Sequence, residues 1–193
     1  MKRAIFLDRD GVLIEEKNYL REPEEVALIP GAGPALKQLQ DRGYLLVVVT
    51  NQSGVGRGYF SLEEVRRVHE RMQADYRRYG VEFDHFYIAP EAPDQPSHGR
   101  KPSPGFLFDA RDAYQIDLRR SYLIGDKWID LACGWNAGVG RSILVRTGYG
   151  AQTERESAAA IAANKGLVVD DLPEAVAAIL AAEPVISGPT TYE

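Results

Sequence analysis

The chain has 193 residues, of which 45% are hydrophobic and 26% charged, and it carries a formal net charge of -5 with a pI near 5.3. That length fits one domain with a sizeable core, and the acidic balance excludes a broad attraction to nucleic acid or anionic lipid while leaving room for a local basic cleft. The lone cysteine, Cys133, excludes an intramolecular disulfide and a cysteine-built zinc site.

The opening MKRAIFLDRDG has only a short apolar run before Asp8 and does not read as a signal peptide. No apolar stretch approaches the roughly 18 residues of a membrane span. A cytoplasmic monomer without membrane contact is therefore expected. Ala4 to Leu7 is the first predicted strand. Pro34 to Arg42 reads as a helix stopped by Gly43, and Tyr44 to Val49 (YLLVVV) is the strongest strand signal. Ser61-Leu62-Glu63-Glu64 has the form of a capping box and opens a charged helix to about Tyr79, ended by Gly80. A strand over Phe83 to Ala89 leads into the Pro-rich loop Pro90 to Arg100. Ser103-Pro104 suits the N-cap and first position of a helix to Gln115. Strand Ser121 to Ile124, helix Lys127 to Ala137 and strand Ser142 to Val145 follow. A helix opened by Thr153 with Glu156, strand Leu167 to Val169 and a helix from Asp171-Leu172-Pro173 to Ala182 complete the alternation. Strands alternating with helices predict an α/β fold: a Rossmann-like open parallel sheet sandwiched by helices. Residues 1–182 read as one domain, and residues 183–193, without periodicity, as a tail.

Four polar clusters fall at predicted strand ends, where open α/β sheets bind ligands. Asp8-Arg9-Asp10-Gly11 places two carboxylates two residues apart. In extended chain they would point the same way and repel unless a cation or proton intervenes. Thr50-Asn51-Gln52-Ser53-Gly54 offers hydroxyl and amide donors to an anion. Arg100-Lys101-Pro102 brings fixed positive charge to a helix start, which suits phosphate. Gly125-Asp126-Lys127-Trp128-Ile129-Asp130 supplies another pair of acids. Each cluster alone reads equally well as a turn, a cap or a solvated pair. Their order, acid pair, hydroxyl, lysine, acid pair, is the informative feature.

In that order the motifs DRDG, TNQSG, RKP and GDKWID resemble the haloacid dehalogenase-like phosphatase superfamily. The longer stretches FLDRDGV, VVVTNQSGVGRG, GRKPSPG, IGDKWIDL and LVRTG are similar to its heptose 1,7-bisphosphate 7-phosphatases and the related histidinol-phosphate phosphatases. The resemblance implies an essentially capless fold, since no gap leaves room for an inserted domain. It also implies a magnesium-dependent phosphomonoester hydrolase acting on a small phosphorylated molecule. Asp8 would be the nucleophile, forming an aspartyl phosphate, and Asp10 the general acid and base, protonated at the first step. Magnesium would lie among the Asp8 carboxylate, the Asp10 backbone carbonyl and Asp126, with Asp130 holding Lys101 or a water behind them. Thr50, Asn51 and Lys101, flanked by Gln52 and Ser53, would bind the phosphoryl group. Arg100, Asn18 and Tyr19 would face the rest of the substrate. This branch commonly carries a zinc loop before RKP, with three Cys and one His; here Ala89, Glu91, Ser97 and Gly99 align with the ligands, so no zinc is expected.

Other residues take plainer readings. Cys133 is expected in the core, His69 as a solvated side chain of a charged helix, and Trp128 and Trp135 as packing partners. Arg57 suits either an anion or a structural role. A nucleic-acid 3′-phosphatase, which shares a TNQ-x-G-x-G-RG stretch, is the competing class, and the acidic pI weighs against it. A non-catalytic scaffold is disfavoured by the intact Asp8, Asp10, Lys101 and Asp126.

Overall fold

All six predicted strands form, and they run parallel in one sheet: β1 (Arg3–Leu7), β2 (Tyr44–Asn51), β3 (His85–Ala89), β4 (Tyr122–Gly125), β5 (Arg141–Val145) and β6 (Leu167–Val169). Their spatial order is β3-β2-β1-β4-β5-β6. This is a computed structural model, and it describes residues 1–183. The helices are α1 (Ala32–Asp41), α2 (Ser53–Gly56), α3 (Leu62–Arg77), α4 (Gly105–Tyr114), α5 (Trp128–Ala137), α6 (Gly150–Ala163) and α7 (Leu172–Ala182).

Side chains alternate across a strand, and both faces of this sheet are covered. Ile5 and Leu7 of β1, with Leu46 and Val48 of β2, pack against α1, α3 and α7 through Leu36, Met72, Tyr76 and Val176. Ala4, Phe6, Val47 and Val49 face the other way, against Leu107 of α4 and Cys133 of α5. Two-sided burial is the reason β2 reads as an unbroken apolar run.

Among the boundaries that differ from expectation are three helix starts, two of them set by tertiary contacts. α1 starts two residues early, with Pro34 inside its first turn, where a missing N–H costs no bond. α4 begins at Gly105 rather than at Pro104; Ser103 still accepts the Gly105 N–H at 3.3 Å while donating to the His98 carbonyl at 2.7 Å. α6 begins at Gly150, three residues before Thr153, whose hydroxyl donates to the Asp126 carbonyl at 2.9 Å instead of capping a helix. The expected tail starts at Glu183, but that carboxylate accepts from the Tyr44 hydroxyl at 2.7 Å and pairs with Arg3 and Arg42. Residues 184–193 lie outside the described residues.

The segment between β1 and α1 forms no cap. Val12, Leu13, Ile14, Leu20, Val26 and Ile29 are buried in the main core, and Ile14 bridges to Leu28, so the segment folds back onto the sheet.

Candidate active site

β1 and β4 are neighbours, yet the chain visits β2 and β3 between them, so the strand order reverses at that point. Such a reversal opens a crevice at the carboxyl edge of the sheet. Asp8 emerges there directly after Leu7, and Asp126 directly after Gly125; Leu7 lies opposite Ile124, and the Asp8 N–H donates to the Ile124 carbonyl at 3.0 Å.

Lys101 enters the crevice from the loop after β3. Its buried Nζ donates to the Val49 carbonyl at 2.8 Å and lies 2.7 Å from Asp8 Oδ1 and 2.6 Å from Asp130 Oδ1. The other Asp130 oxygen accepts the Lys127 N–H at 2.9 Å, so this residue both starts α5 and holds Lys101. Carboxylate oxygens of Asp8, Asp126 and Asp130 lie within 4.8 Å of one another. Asp8 and Asp130 thus share one buried ammonium beside a third buried acid, and the surplus negative charge is visible in the titration of Asp8 and Asp126. Burial outweighs the pull of Lys101 and pushes Asp8 up to about 6. Burial, with Asp8 and Asp130 adding to it, pushes Asp126 up to about 8. Lys101 itself is raised, because the two carboxylates more than offset its burial.

Asp126 is the incompletely satisfied member. Its Oδ2 accepts the Tyr149 N–H at 2.8 Å, whereas Oδ1 is buried with no hydrogen-bond partner among the described residues. A buried carboxylate oxygen without a donor, beside a second carboxylate, fits a hard divalent cation bound through oxygen. Two glycines keep the space around it open. Gly11 (φ +80°) and Gly148 (φ +58°) approach Asp126 so closely that a Cβ would fall 2.4 and 2.3 Å from Oδ2.

Asp10 has a separate cation. Arg9 donates through Nε to Oδ2 at 3.0 Å and through Nη2 to Oδ1 at 2.8 Å, and Gln52 donates to Oδ2 at 3.0 Å. Burial opposes ionisation, but the Arg9 charge and these bonds prevail and hold Asp10 below the usual carboxylate range. The expected self-repulsion of the pair is present, since Asp10 adds to the rise at Asp8, and it is met by separate cations: Lys101 serves Asp8 and Arg9 serves Asp10. Gln52 also donates to the Thr50 hydroxyl at 2.8 Å. Asn51 accepts the Lys101 N–H and donates to the Lys101 carbonyl, both at 3.0 Å, which leaves one amide N–H for a ligand.

Beside Asp10 lies a cavity of about 210 Å³ lined by Asn18, Tyr19, Asn51, Gln52 and Ser53, and also by Glu16, Lys127 and Tyr149. Asn18 and Tyr19 adopt left-handed backbone (φ 44° and 66°), and the Tyr19 ring packs edge-on against Tyr59 at 5.0 Å. Lys127 Nζ sits 3.2 Å from Glu16 and 4.5 Å from the centre of the Tyr149 ring. Arg100 is not among the residues lining this cavity. Its guanidinium donates to the Glu91 carbonyl at 3.0 Å, and burial with the nearby Arg57 charge lowers its pKa. Glu91 and Ser97, aligned with zinc ligands elsewhere, are joined by a 2.7 Å hydrogen bond, and Ser97 accepts the Arg100 N–H at 3.1 Å.

Sequence reasoning passed over Arg9, Glu16, Lys127 and Tyr149, and misplaced His69. His69 is only 5% exposed, stacks on Phe86 at 4.9 Å, and puts Nε2 3.4 Å from Arg9 Nη1. Burial and the Arg9 charge push it down to about 3, so it is neutral. The available signal was its place in the apolar stripe of α3, four residues after Val65 and three before Met72. Cys133 is in the core and Trp128 packs on Trp135 at 5.2 Å, as expected.

The chain is similar to known proteins. Residues 98–175 match the HAD-hydrolase-like family, and residues 3–132 match the polynucleotide kinase 3 phosphatase family. The chain is 42% identical to the D-glycero-beta-D-manno-heptose-1,7-bisphosphate 7-phosphatase of Haemophilus ducreyi, covering 89% of this chain and 97% of that one. It is 38% identical to the enzyme of the same name from Escherichia coli, over 90% and 93% of the two chains. The crystal structure of D,D-heptose 1,7-bisphosphate phosphatase from B. bronchiseptica, complexed with magnesium and phosphate, superposes with a TM-score of 0.83 at 30% identity, covering 95% of this chain and all (100%) of that one. The chain belongs to the haloacid dehalogenase-like phosphatases.

Proposed function

We propose that this protein is a magnesium-dependent phosphatase that removes the 7-phosphate of D-glycero-β-D-manno-heptose 1,7-bisphosphate through an aspartyl phosphate on Asp8. The observation that carries the chemistry is the pairing of Asp8 with Lys101 beside the unpartnered Asp126 oxygen. The substrate rests on the relatives of that name, which the chain matches over nearly their whole length.

An Asp8 oxygen attacks phosphorus and the ester P–O bond breaks, with Lys101 and the Thr50 to Ser53 turn neutralising phosphoryl oxygens. The leaving alkoxide takes a proton from Asp10. A water then gives its proton back to Asp10 and attacks the phosphorus, freeing Asp8 and phosphate. Asp10 is ionised as it stands, so it acquires the first proton as substrate binds: a phosphate dianion alongside raises a carboxyl pKa by like-charge repulsion. Magnesium, held by Asp8, Asp126 and the Asp10 backbone carbonyl, would supply the positive charge that lets two buried carboxylates ionise together and an anionic nucleophile meet a phosphate.

Residues 1–182 act as one domain, and we place the protein in the cytoplasm as a monomer, a setting that suits a buried free thiol. No described helix is long and apolar enough to cross a membrane. The match to polynucleotide 3′-phosphatases gives a second reading. It is disfavoured by the net charge of -5 and by the acidic Asp10 and Glu16 in the cavity wall. Histidinol phosphate is disfavoured by Lys127, whose ammonium would face the substrate amine.

The direct test is phosphate release from the heptose bisphosphate by purified protein. One equivalent should come from position 7, with magnesium present and not with chelator. Faster turnover of histidinol phosphate or of a 3′-phosphorylated oligonucleotide would replace the substrate assignment.

A further inference from the structure

Asp10 is aimed by a residue that is itself almost fully buried. Arg9 is 1% exposed, and its guanidinium is a rigid planar fork, so the direction of that fork sets where the Asp10 carboxylate lies. Two of its nitrogens are taken by Asp10. The third, Nη1, meets His69 Nε2 at 3.4 Å. Arginine can only donate, so a neutral His69 with its proton on Nδ1 presents Nε2 as the acceptor. The imidazole is fixed in turn by α3 and by stacking on Phe86 of β3, with ring planes 26° apart. A continuous set of contacts therefore runs from the edge strand through His69 and Arg9 to Asp10.

We propose that His69 is a positioning residue for proton transfer by Asp10: as the acceptor at the far end of the Arg9 fork, it holds that fork in the orientation that presents Asp10 to the leaving oxygen. The proposal rests on the reading of Asp10 as general acid. Removing the acceptor leaves a buried, charged N–H without a partner, and the guanidinium turns or draws in water to satisfy it. Asp10 then moves with it, held by Gln52 alone. Displacement of a proton donor by about 1 Å is worth on the order of 100-fold in rate.

Leaving-group dependence separates this role from a merely structural one. Nitrophenolate departs without a proton, whereas the primary alkoxide of a sugar requires one. Asp10 also takes the proton of the hydrolytic water, so the test compares leaving-group release from p-nitrophenyl phosphate and from the heptose bisphosphate in a single turnover, before the aspartyl phosphate is hydrolysed, using the full chain and magnesium. His69→Phe keeps the stacked ring and deletes the acceptor; His69→Gln keeps an acceptor and deletes the ring. His69→Phe should lower the release rate from the bisphosphate by about tenfold or more while that from p-nitrophenyl phosphate stays within about threefold and both substrate affinities hold. His69→Gln should restore the bisphosphate rate to within about threefold of wild type. If His69→Phe does not fold, His69→Leu is judged by the same ratio. Equal losses on the two substrates, no loss at all, or failure of His69→Gln to restore the rate would overturn the proposal. Asp10→Asn serves as reference. A selective loss there with none in His69→Phe removes only the positioning role. Equal losses in Asp10→Asn would sink the general-acid reading and this proposal with it.

Discussion

Asp8 and Asp10 stand two residues apart and meet opposite surroundings. Burial dominates at Asp8, whose ammonium partner is shared with Asp130, while Asp10 has a bidentate guanidinium of its own. One is left proton-hungry until a cation arrives, and the other is held ionised by its neighbour. If Asp8 is the nucleophile, Asp8→Asn should fall below about 1% of wild-type turnover, because a neutral amide cannot form the acyl phosphate. Its thermal unfolding should stay close to wild type or rise, since the substitution removes one acid from a crowded group. Activity of several per cent would sink the covalent route. The same crowding gives a pH signature in metal-free protein. Asp126 is raised from 3.8 to about 8 on folding, so the folded form holds that proton more tightly than the unfolded chain. Its contribution to stability is complete below about pH 4 and is lost as pH rises through about 8. Asp8, raised to about 6, acts in the same direction. The Tm of chelated protein should therefore fall between about pH 5 and pH 8.5, and fall less in Asp126→Asn. Added magnesium should raise Tm more at the alkaline end, where the cation replaces a proton already lost. Parallel Tm curves for the two proteins would show that Asp126 is not the titrating group.

At the scale of elements, α3 tests how far local signals go. Ser61 accepts the Glu64 N–H at 3.2 Å and Glu64 accepts the Ser61 N–H at 2.7 Å, the reciprocal cap that Ser-Leu-Glu-Glu announces. Ser61→Ala should cost about 1 kcal/mol in urea unfolding. His69 lies two turns further along the helix, so kcat should stay within about twofold of wild type; a parallel loss of rate would show that the first turn reaches the site. The strands were legible for a similar reason: a parallel strand covered on both faces must be apolar throughout, and YLLVVV admits few other readings. The starts of α4 and α6 were not, because Ser103 and Thr153 direct their hydroxyls to tertiary partners that no local pattern encodes. Within the site, Asp8, Lys101 and Asp126 could be placed because a parallel sheet brings alternate loops to one edge. Arg9, Lys127 and His69 stayed hidden because their residue types usually face solvent, and only the fold buries Arg9 against Asp10 and His69 against Phe86 and brings the half-buried Lys127 to Glu16. The loop before Arg100 shows the converse. Its alignment exposed what was missing, four zinc ligands, but not the Glu91–Ser97 bond that joins those positions here.

At the scale of the molecule, helices cover both faces of the sheet and the segment after β1 is packed into the core, so among the described residues no segment forms a lid over the carboxyl edge. Specificity must then come from the walls of a shallow cavity and from its surroundings, and their charges are arranged unevenly. Lys127, paired with Glu16, stands in the wall. Arg57 and Arg100 lie close enough for one charge to lower the pKa of the other, and Arg100 is anchored by the Glu91 carbonyl. Two guanidinium groups held together against their repulsion suit a second anionic group on the substrate, since each offers a fork matched to phosphate oxygens. A heptose bisphosphate carries such a group; histidinol phosphate carries an amine that these cations repel. A polynucleotide carries many phosphates, but an overall charge of -5 opposes its approach. The bisphosphate should therefore show the highest kcat/KM of the three. Arg100→Ala removes one fork without touching the reacting phosphate, so it should lower kcat/KM for the bisphosphate by about tenfold, the worth of one charge-assisted hydrogen bond. Monophosphates, which lack the distal group, should lose far less. Equal losses on mono- and bisphosphates would mean instead that Arg100 reaches the reacting phosphate, and the preference would then have to be sought in Lys127 and Arg57.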